Sequence, residues 1–130
     1  MRTQPDYIIR QLEIHPSRLD KEAIIQAAHE EGLPEFFEGV KMALDALVTF
    51  GVKQVPVRDD TPGQGLPWET FVELAMNLAG RQLTGHAARD AIELAMSVAT
   101  TEQWNDWYRR ILIKDLRCGV SEKTVNKVVP

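Results

Sequence analysis

The sequence has a single cysteine, Cys118, among its 130 residues. It has no apolar run near the ~18 residues of a membrane span, and no excess of basic charge. Each absence excludes something. A lone thiol closes no internal disulfide, and with His15, His29 and His86 scattered along the chain no zinc-ligand spacing arises. The amino terminus, MRTQPDYIIR, lacks the profile of a secretory signal. These absences predict a soluble, cytoplasmic protein of a reducing compartment, with no membrane partner and no bound metal. With 15 Lys and Arg against 19 Asp and Glu, the net charge of −4 argues against a surface that attracts nucleic acid everywhere.

What is present suits one compact domain. The chain is 44% hydrophobic, and a chain of this length buries roughly two-thirds of its unfolded surface, enough for a core without a staple. Apolar spacing is helical nearly throughout. A first helix over Pro5 to Glu13 aligns Ile8, Ile9 and Leu12, and His15-Pro16 ends it. Ser17 or Asp20 starts a second, with Ile24, Ile25, Ala28 and Leu33 inward, broken at Gly32 and Pro34. A third carries Phe36, Phe37, Val40, Ala43, Leu44 and Leu47 on one face.

FGVKQVPV, from Phe50 to Val57, is extended, with Pro56 excluding a central strand. RDDTPGQGLP, from Arg58 to Pro67, is a loop. The fourth helix begins at Trp68, lines up Phe71, Val72, Ala75 and Leu78, and closes at Gly80. Thr84 caps a fifth, with Ala87, Ala88, Ala91, Ile92, Ala95 and Met96 inward. Thr101 caps a sixth, with Trp104, Trp107, Tyr108, Ile111 and Leu112 as its core stripe, running to Gly119. Ser121 caps a short seventh, with Val125 and Val128 inward. The expected fold is all-α: one domain of about seven helices over residues 1–130.

No catalytic constellation emerges. Neither Gly-rich run is a P-loop or dinucleotide fingerprint. Ser17, Ser97 and Ser121 lack a nucleophile elbow, and Asp59-Asp60 read as solvated turn residues. Two polar turns stand out instead: RQLTGHAA, from Arg81 to Ala88, and KDLRCGVSEKTVNKV, from Lys114 to Val128. Each turns at a glycine into a new helix, whose unpaired N–H groups and partial positive charge suit a phosphate.

Around Gly85 the added donors are Arg81, Thr84 and His86. Around Gly119 they are Arg117, Ser121, Lys123, Thr124 and Lys127. Arg110, Lys114 and Arg117, spaced i, i+4 and i+7, form a basic row opposite the aromatic stripe. Charge agrees with this end of the chain: residues 1–100 sum to −6 and residues 101–130 to +2. Two such turns side by side would clamp successive phosphates without reading bases. The plain alternative is two ordinary capped helix starts, with Lys123 and Lys127 a solvated face.

RRILIKDLRCGVSEKTVNKVVP, with RQLTGHAARDAIE upstream, resembles the amino-terminal DNA-binding domain of ATP-dependent DNA ligases, in the small all-helical form of T-even-type bacteriophage ligases. The matching residues are Lys114, Asp115, Leu116, Cys118, Gly119, Ser121, Asn126, Lys127, Val128 and Pro130, and earlier Arg81, Leu83, Thr84, Gly85, Ala87 and Ala88. A looser likeness covers Ile8 to Pro56, including FGVKQVP.

The resemblance implies an enzyme of replication, repair and recombination in three parts. A helical domain grips the minor groove around a nick, a nucleotidyltransferase domain carries an adenylated lysine in K-x-D-G, and an OB-fold domain completes a clamp. This chain lacks K-x-D-G, since Leu116 and Arg117 follow Lys114-Asp115, and it stops at Pro130, about where the next domain would begin. The resemblance therefore implies an isolated, monomeric amino-terminal domain with no catalytic residue and no cofactor of its own. ATP and Mg belong to the parent enzyme. Its partners are nicked double-stranded DNA and the nucleotidyltransferase domain of the same parent.

The implied DNA-contacting residues are Arg81, Thr84, Gly85, His86, Lys114, Arg117, Gly119, Ser121, Lys123, Thr124 and Lys127. Asp115 is expected to hold Arg110, Arg117 or a backbone group, and Asn126 to cap or brace the last helix. The acidic balance then reads as weak binding that relies on tethering, since a linker raises effective concentration to roughly millimolar. Four to six phosphate contacts imply a log–log salt slope of about −4 to −5. Two other classes are open: a helical protein-interaction module docking through acidic residues 1–100, and a helix-turn-helix regulator using Ser121 to Val129. The latter segment is short and lacks the Arg, Asn and Gln that read base edges.

Overall fold

The computed structural model describes residues 3–130. These form seven helices and, among the described residues, no strand. They are α1 (Pro5–Ile14), α2 (Arg18–Glu31), α3 (Pro34–Leu44), α4 (Trp68–Ala79), α5 (Gly85–Val98), α6 and α7 (Glu122–Val128). α6 is continuous, made of Thr101–Gln103, a π-helical turn over Trp104–Tyr108, and Arg109–Leu112. No described helix is long and apolar enough to cross a membrane.

α6 is the centre of the fold because its sequence is almost wholly apolar on one side. Trp104, Trp107, Tyr108, Ile111 and Leu112 are all buried. The Trp107 ring lies between Phe36, 5.8 Å away, and Trp68, 6.1 Å away, both stacked, while Tyr108 stacks on Phe71 at 4.3 Å. These rings are core, not a platform for bases. α1 packs against the π turn, and Arg10 ties them by pairing with both Asp6 and Asp106 at 3.0 Å.

The segment 50–57 forms no strand, in keeping with Pro56, and Gly51 within it is left-handed at φ +71°. Its backbone groups find partners on α6 instead: Arg109 donates to the Val55 carbonyl at 2.7 Å, and Trp104 to the Pro56 carbonyl at 2.8 Å. Asn105 exchanges two bonds with the Arg58 backbone at 2.7 and 2.9 Å. Buried Arg58 then holds the following loop, donating to the Thr61, Pro62 and Met96 carbonyls.

Several boundaries differ from the sequence expectation. Of the two starts the sequence offers for α2, Ser17 is the N-cap, as read, its hydroxyl accepting the Asp20 N–H at 3.5 Å. α3 stops at Leu44, and Leu47 is not on its apolar face but 92% exposed on the turn beyond. Ala87 is exposed on α5. The N-cap of α6 is Thr100, not Thr101, because Thr100 and Gln103 form a reciprocal capping box.

The largest difference is the end of α6, at Leu112 rather than Gly119. Lys114 adopts a left-handed φ of +58°. Its N–H bonds the Ile111 carbonyl and the Asp115 N–H bonds the Arg110 carbonyl, both at 3.0 Å, which is a Schellman ending with lysine where glycine is usual. α4 ends in a related way: Gly80 keeps φ −82°, and Arg81 takes the left-handed position at +64°.

Candidate nucleic-acid interface

The first candidate turn joins α4 to α5. Left-handed Arg81 is held by its own side chain, which donates to the Leu78 carbonyl at 2.8 Å and to the Thr49 carbonyl and hydroxyl at 3.2 and 3.0 Å. Thr84 occupies the N-cap of α5 with no capping side-chain bond. Its hydroxyl and the exposed His86 ring have no partner among the described residues. Gly85 has φ +58°, and open space lies where a Cβ would project, so glycine is used here for its backbone. Arg89, one turn further, is also exposed.

The second turn runs from Ile113 to Ser121. Lys114 points back under the fold, its ammonium donating to the Met42 and Asp45 carbonyls at 2.7 and 2.8 Å and lying 5.7 Å from the centre of the Phe50 ring. Burial pushes its pKa below the usual lysine value, partly offset by Asp45. The structure thus makes Lys114 a cap on two carbonyls at the end of α3.

Arg110 is also committed inward, to Glu13 at 2.9 Å, Asp106 at 3.5 Å and the Leu116 carbonyl at 3.1 Å. The expected basic row of Arg110, Lys114 and Arg117 therefore does not exist, because the helix that would carry it ends at Leu112. Arg117 alone of the three faces solvent. It is left-handed at φ +54°, with its N–H on the Asp115 carboxylate at 3.1 Å and its guanidinium 3.7 Å from the same group. Asp115 does hold Arg117, as expected, and not Arg110.

Gly119 turns at φ +69° above Lys21, whose Cε would sit 3.4 Å from an added Cβ. Only 8% exposed, Lys21 donates to the Cys118 carbonyl at 2.8 Å and to the Leu12 carbonyl. Ser121 caps α7 by accepting the Thr124 N–H at 3.3 Å, and the two hydroxyls lie 3.2 Å apart. Lys123 is exposed without a partner among the described residues, and Lys127 pairs with Glu22 at 3.3 Å. Arg18 and Lys127 together hold the Glu22 carboxyl below the usual range. Asn126 is exposed on α7, and its side chain makes no hydrogen bond to another described residue.

The loop from Asp45 to Gly51 joins the two turns. Lys114 of the second binds Asp45, and Arg81 of the first binds Thr49. Arg81, Lys114 and Arg117 are also the three described residues other than glycine with positive φ. A left-handed conformation costs such residues about 1–2 kcal/mol, and the fold sustains it at three basic residues in two turns braced by one loop.

The sequence reading missed Thr49 and Lys21. Lys21 had a signal, since it shares the inward face of α2 with Ile25 and Ala28. Among the described residues no cluster of His, Cys, Asp or Glu is arranged to hold a metal ion.

Comparison with known proteins adds a match in structure. No family model and no curated protein matches the chain. Two solved chains, named "Pmar-Lig_Pre." and "Pmar-Lig_PreS3", each superpose with a TM-score of 0.95 and share 61% sequence identity over 98% of this chain. The likeness is to a ligase-related domain. This chain spans 29% of the length of each of those solved chains.

Proposed function

We propose that the chain is the helical DNA-binding domain of an ATP-dependent DNA ligase, which binds nicked duplex DNA through the minor groove and phosphates without reading base sequence. In that role it holds the nick for the nucleotidyltransferase and OB-fold domains of its parent. The observation that carries this reading is the fit of nearly the whole chain, at 61% identity, into part of larger chains whose names carry Lig.

The cations on the two turns support it. Arg81, Arg117, Lys123 and Lys127 are exposed, and Arg89 lies on the same helix as His86. Lys114 supports this surface from beneath. α7, seven residues and about 10 Å long, is short for a recognition helix that reads a major groove.

In this reading ATP and Mg belong to the parent's nucleotidyltransferase domain. Lys114, the lysine followed by aspartate, has its amine bonded to two carbonyls, and no chemical step is assigned to it.

Lys123→Glu combined with Lys127→Glu tests the reading. By fluorescence anisotropy on a nicked duplex, affinity falls and the salt slope becomes shallower by about 2, while the circular dichroism spectrum stays helical. Native affinity and slope in the double variant would place the DNA face elsewhere.

A further inference from the structure

Arg18 is an exposed cation that the two turns do not account for. It opens α2 directly after the Ser17 cap, and its side chain is 72% exposed. Its Nε donates to Glu22 Oε2 at 3.2 Å, and Lys127 Nζ of α7 lies 3.3 Å from the same oxygen. An i, i+4 pair with the cation first is the weaker order on a helix, and an exposed pair contributes about 0–1 kcal/mol. Helix stability therefore gives little reason for an arginine here. The consequence of the shared oxygen is positional: cations from two helices stand side by side, with one carboxylate between them. A second tether fixes where they stand. Lys21, one turn along α2 from Arg18, holds the Cys118 carbonyl at 2.8 Å, and α7 packs on α2. Arg18 thus extends the exposed cations of α7, Lys123 and Lys127, onto the start of α2.

We propose that Arg18 and Lys127 together grip one backbone phosphate of the nicked duplex. This rests on the DNA-binding reading and deepens it. Both cations have donors to spare. Arg18 engages Glu22 through Nε alone, so its two Nη groups have no partner among the described residues. Lys127 is 55% exposed and offers further N–H groups beyond its contact with Glu22. The nearby acids leave the outer side open. Glu22, at 16% exposure, sits deeper than either cation. Asp20 is on another face of α2, and Glu122 lines the cleft between α7 and α3. An anion arriving from solvent meets the guanidinium fork and the ammonium first, and a phosphate has the several oxygens that this pair of donors can share.

The test crosses protein variants with single neutral backbone links. Nicked duplexes carry one methylphosphonate at successive positions on either side of the nick. Anisotropy gives the affinity of the native 130-residue chain, Arg18→Gln and Lys127→Gln for each duplex. Both variants keep the native circular dichroism spectrum, since the pair is exposed. On the unmodified duplex each loses about 3- to 10-fold in affinity, as an exposed charge-assisted contact implies. For the native chain one methylphosphonate position costs a similar factor, and that cost shrinks in both variants because part of the grip is already gone. Native affinity in Arg18→Gln, or an undiminished cost at that position, overturns the shared grip alone, and so does a different position answering to each variant. Absence of salt-sensitive binding by the native chain overturns the DNA-binding reading and the grip with it.

Discussion

Replacing Lys114 with methionine separates bracing from DNA contact. Methionine keeps the length and apolar stem of lysine and carries the same left-handed penalty at φ +58°, so only the ammonium is lost. That ammonium makes two hydrogen bonds, at 2.7 and 2.8 Å, to the carbonyls of Met42 and Asp45. Charge-assisted bonds contribute about 1.5–3 kcal/mol each, but Lys114 is half-buried and water can reach part of the vacated site. The expected net loss is therefore about 2 kcal/mol. For a domain of this size that lowers Tm by about 6–10 °C, read by thermal circular dichroism. At a temperature where the variant is fully folded, its salt slope on nicked DNA matches the native one, because the amine already sits on protein carbonyls. A variant with native Tm and a slope shallower by about 1 would refute this reasoning and return Lys114 to the phosphates.

Two further outcomes follow from the core. A Cβ on Gly39 would lie 2.3 Å from Trp107 Cζ2, and Trp107 is stacked against Phe36 and Trp68, so Gly39→Ala costs about 1–3 kcal/mol; an unchanged urea midpoint would contradict the packing described. Burial pushes the Cys118 thiol above its ordinary pKa of 9.0, so the folded state holds a proton that the unfolded state releases. The stability advantage of the native chain over Cys118→Ala should thus shrink as pH rises above about 9, and urea titrations at pH 8 and 10 showing a constant or growing advantage would exclude it.

The helices and the core stripe were legible because apolar period alone specifies them: Trp104, Trp107, Tyr108, Ile111 and Leu112 read as a buried face and are one. The π turn beneath that stripe was not, since the buried residues keep an α-helical i, i+3, i+4 spacing across it. The end of α6 was misread because lysine, not glycine, took the left-handed position there. Gly119 carried the sequence signal for the end of α6, while the physical terminator is Lys114, stabilised by carbonyls on α3 that only the fold brings near. The same long-range bonding divides the candidate site. Sequence patterning located both turns, but nothing local distinguishes Lys114 and Arg110, which hold the structure, from Arg117 and Lys123, which face solvent. Nor does it show that the Asp45–Gly51 loop links the turns.

The most direct test of the central claim is the salt dependence of binding by the native 130-residue chain to nicked duplexes of two unrelated sequences. Four exposed basic residues on the turns, Arg81, Arg117, Lys123 and Lys127, with Arg89 and His86 beside them, predict a log–log slope of about −4 to −5, the same for both sequences. A slope near zero, or strong preference for one sequence, would contradict it.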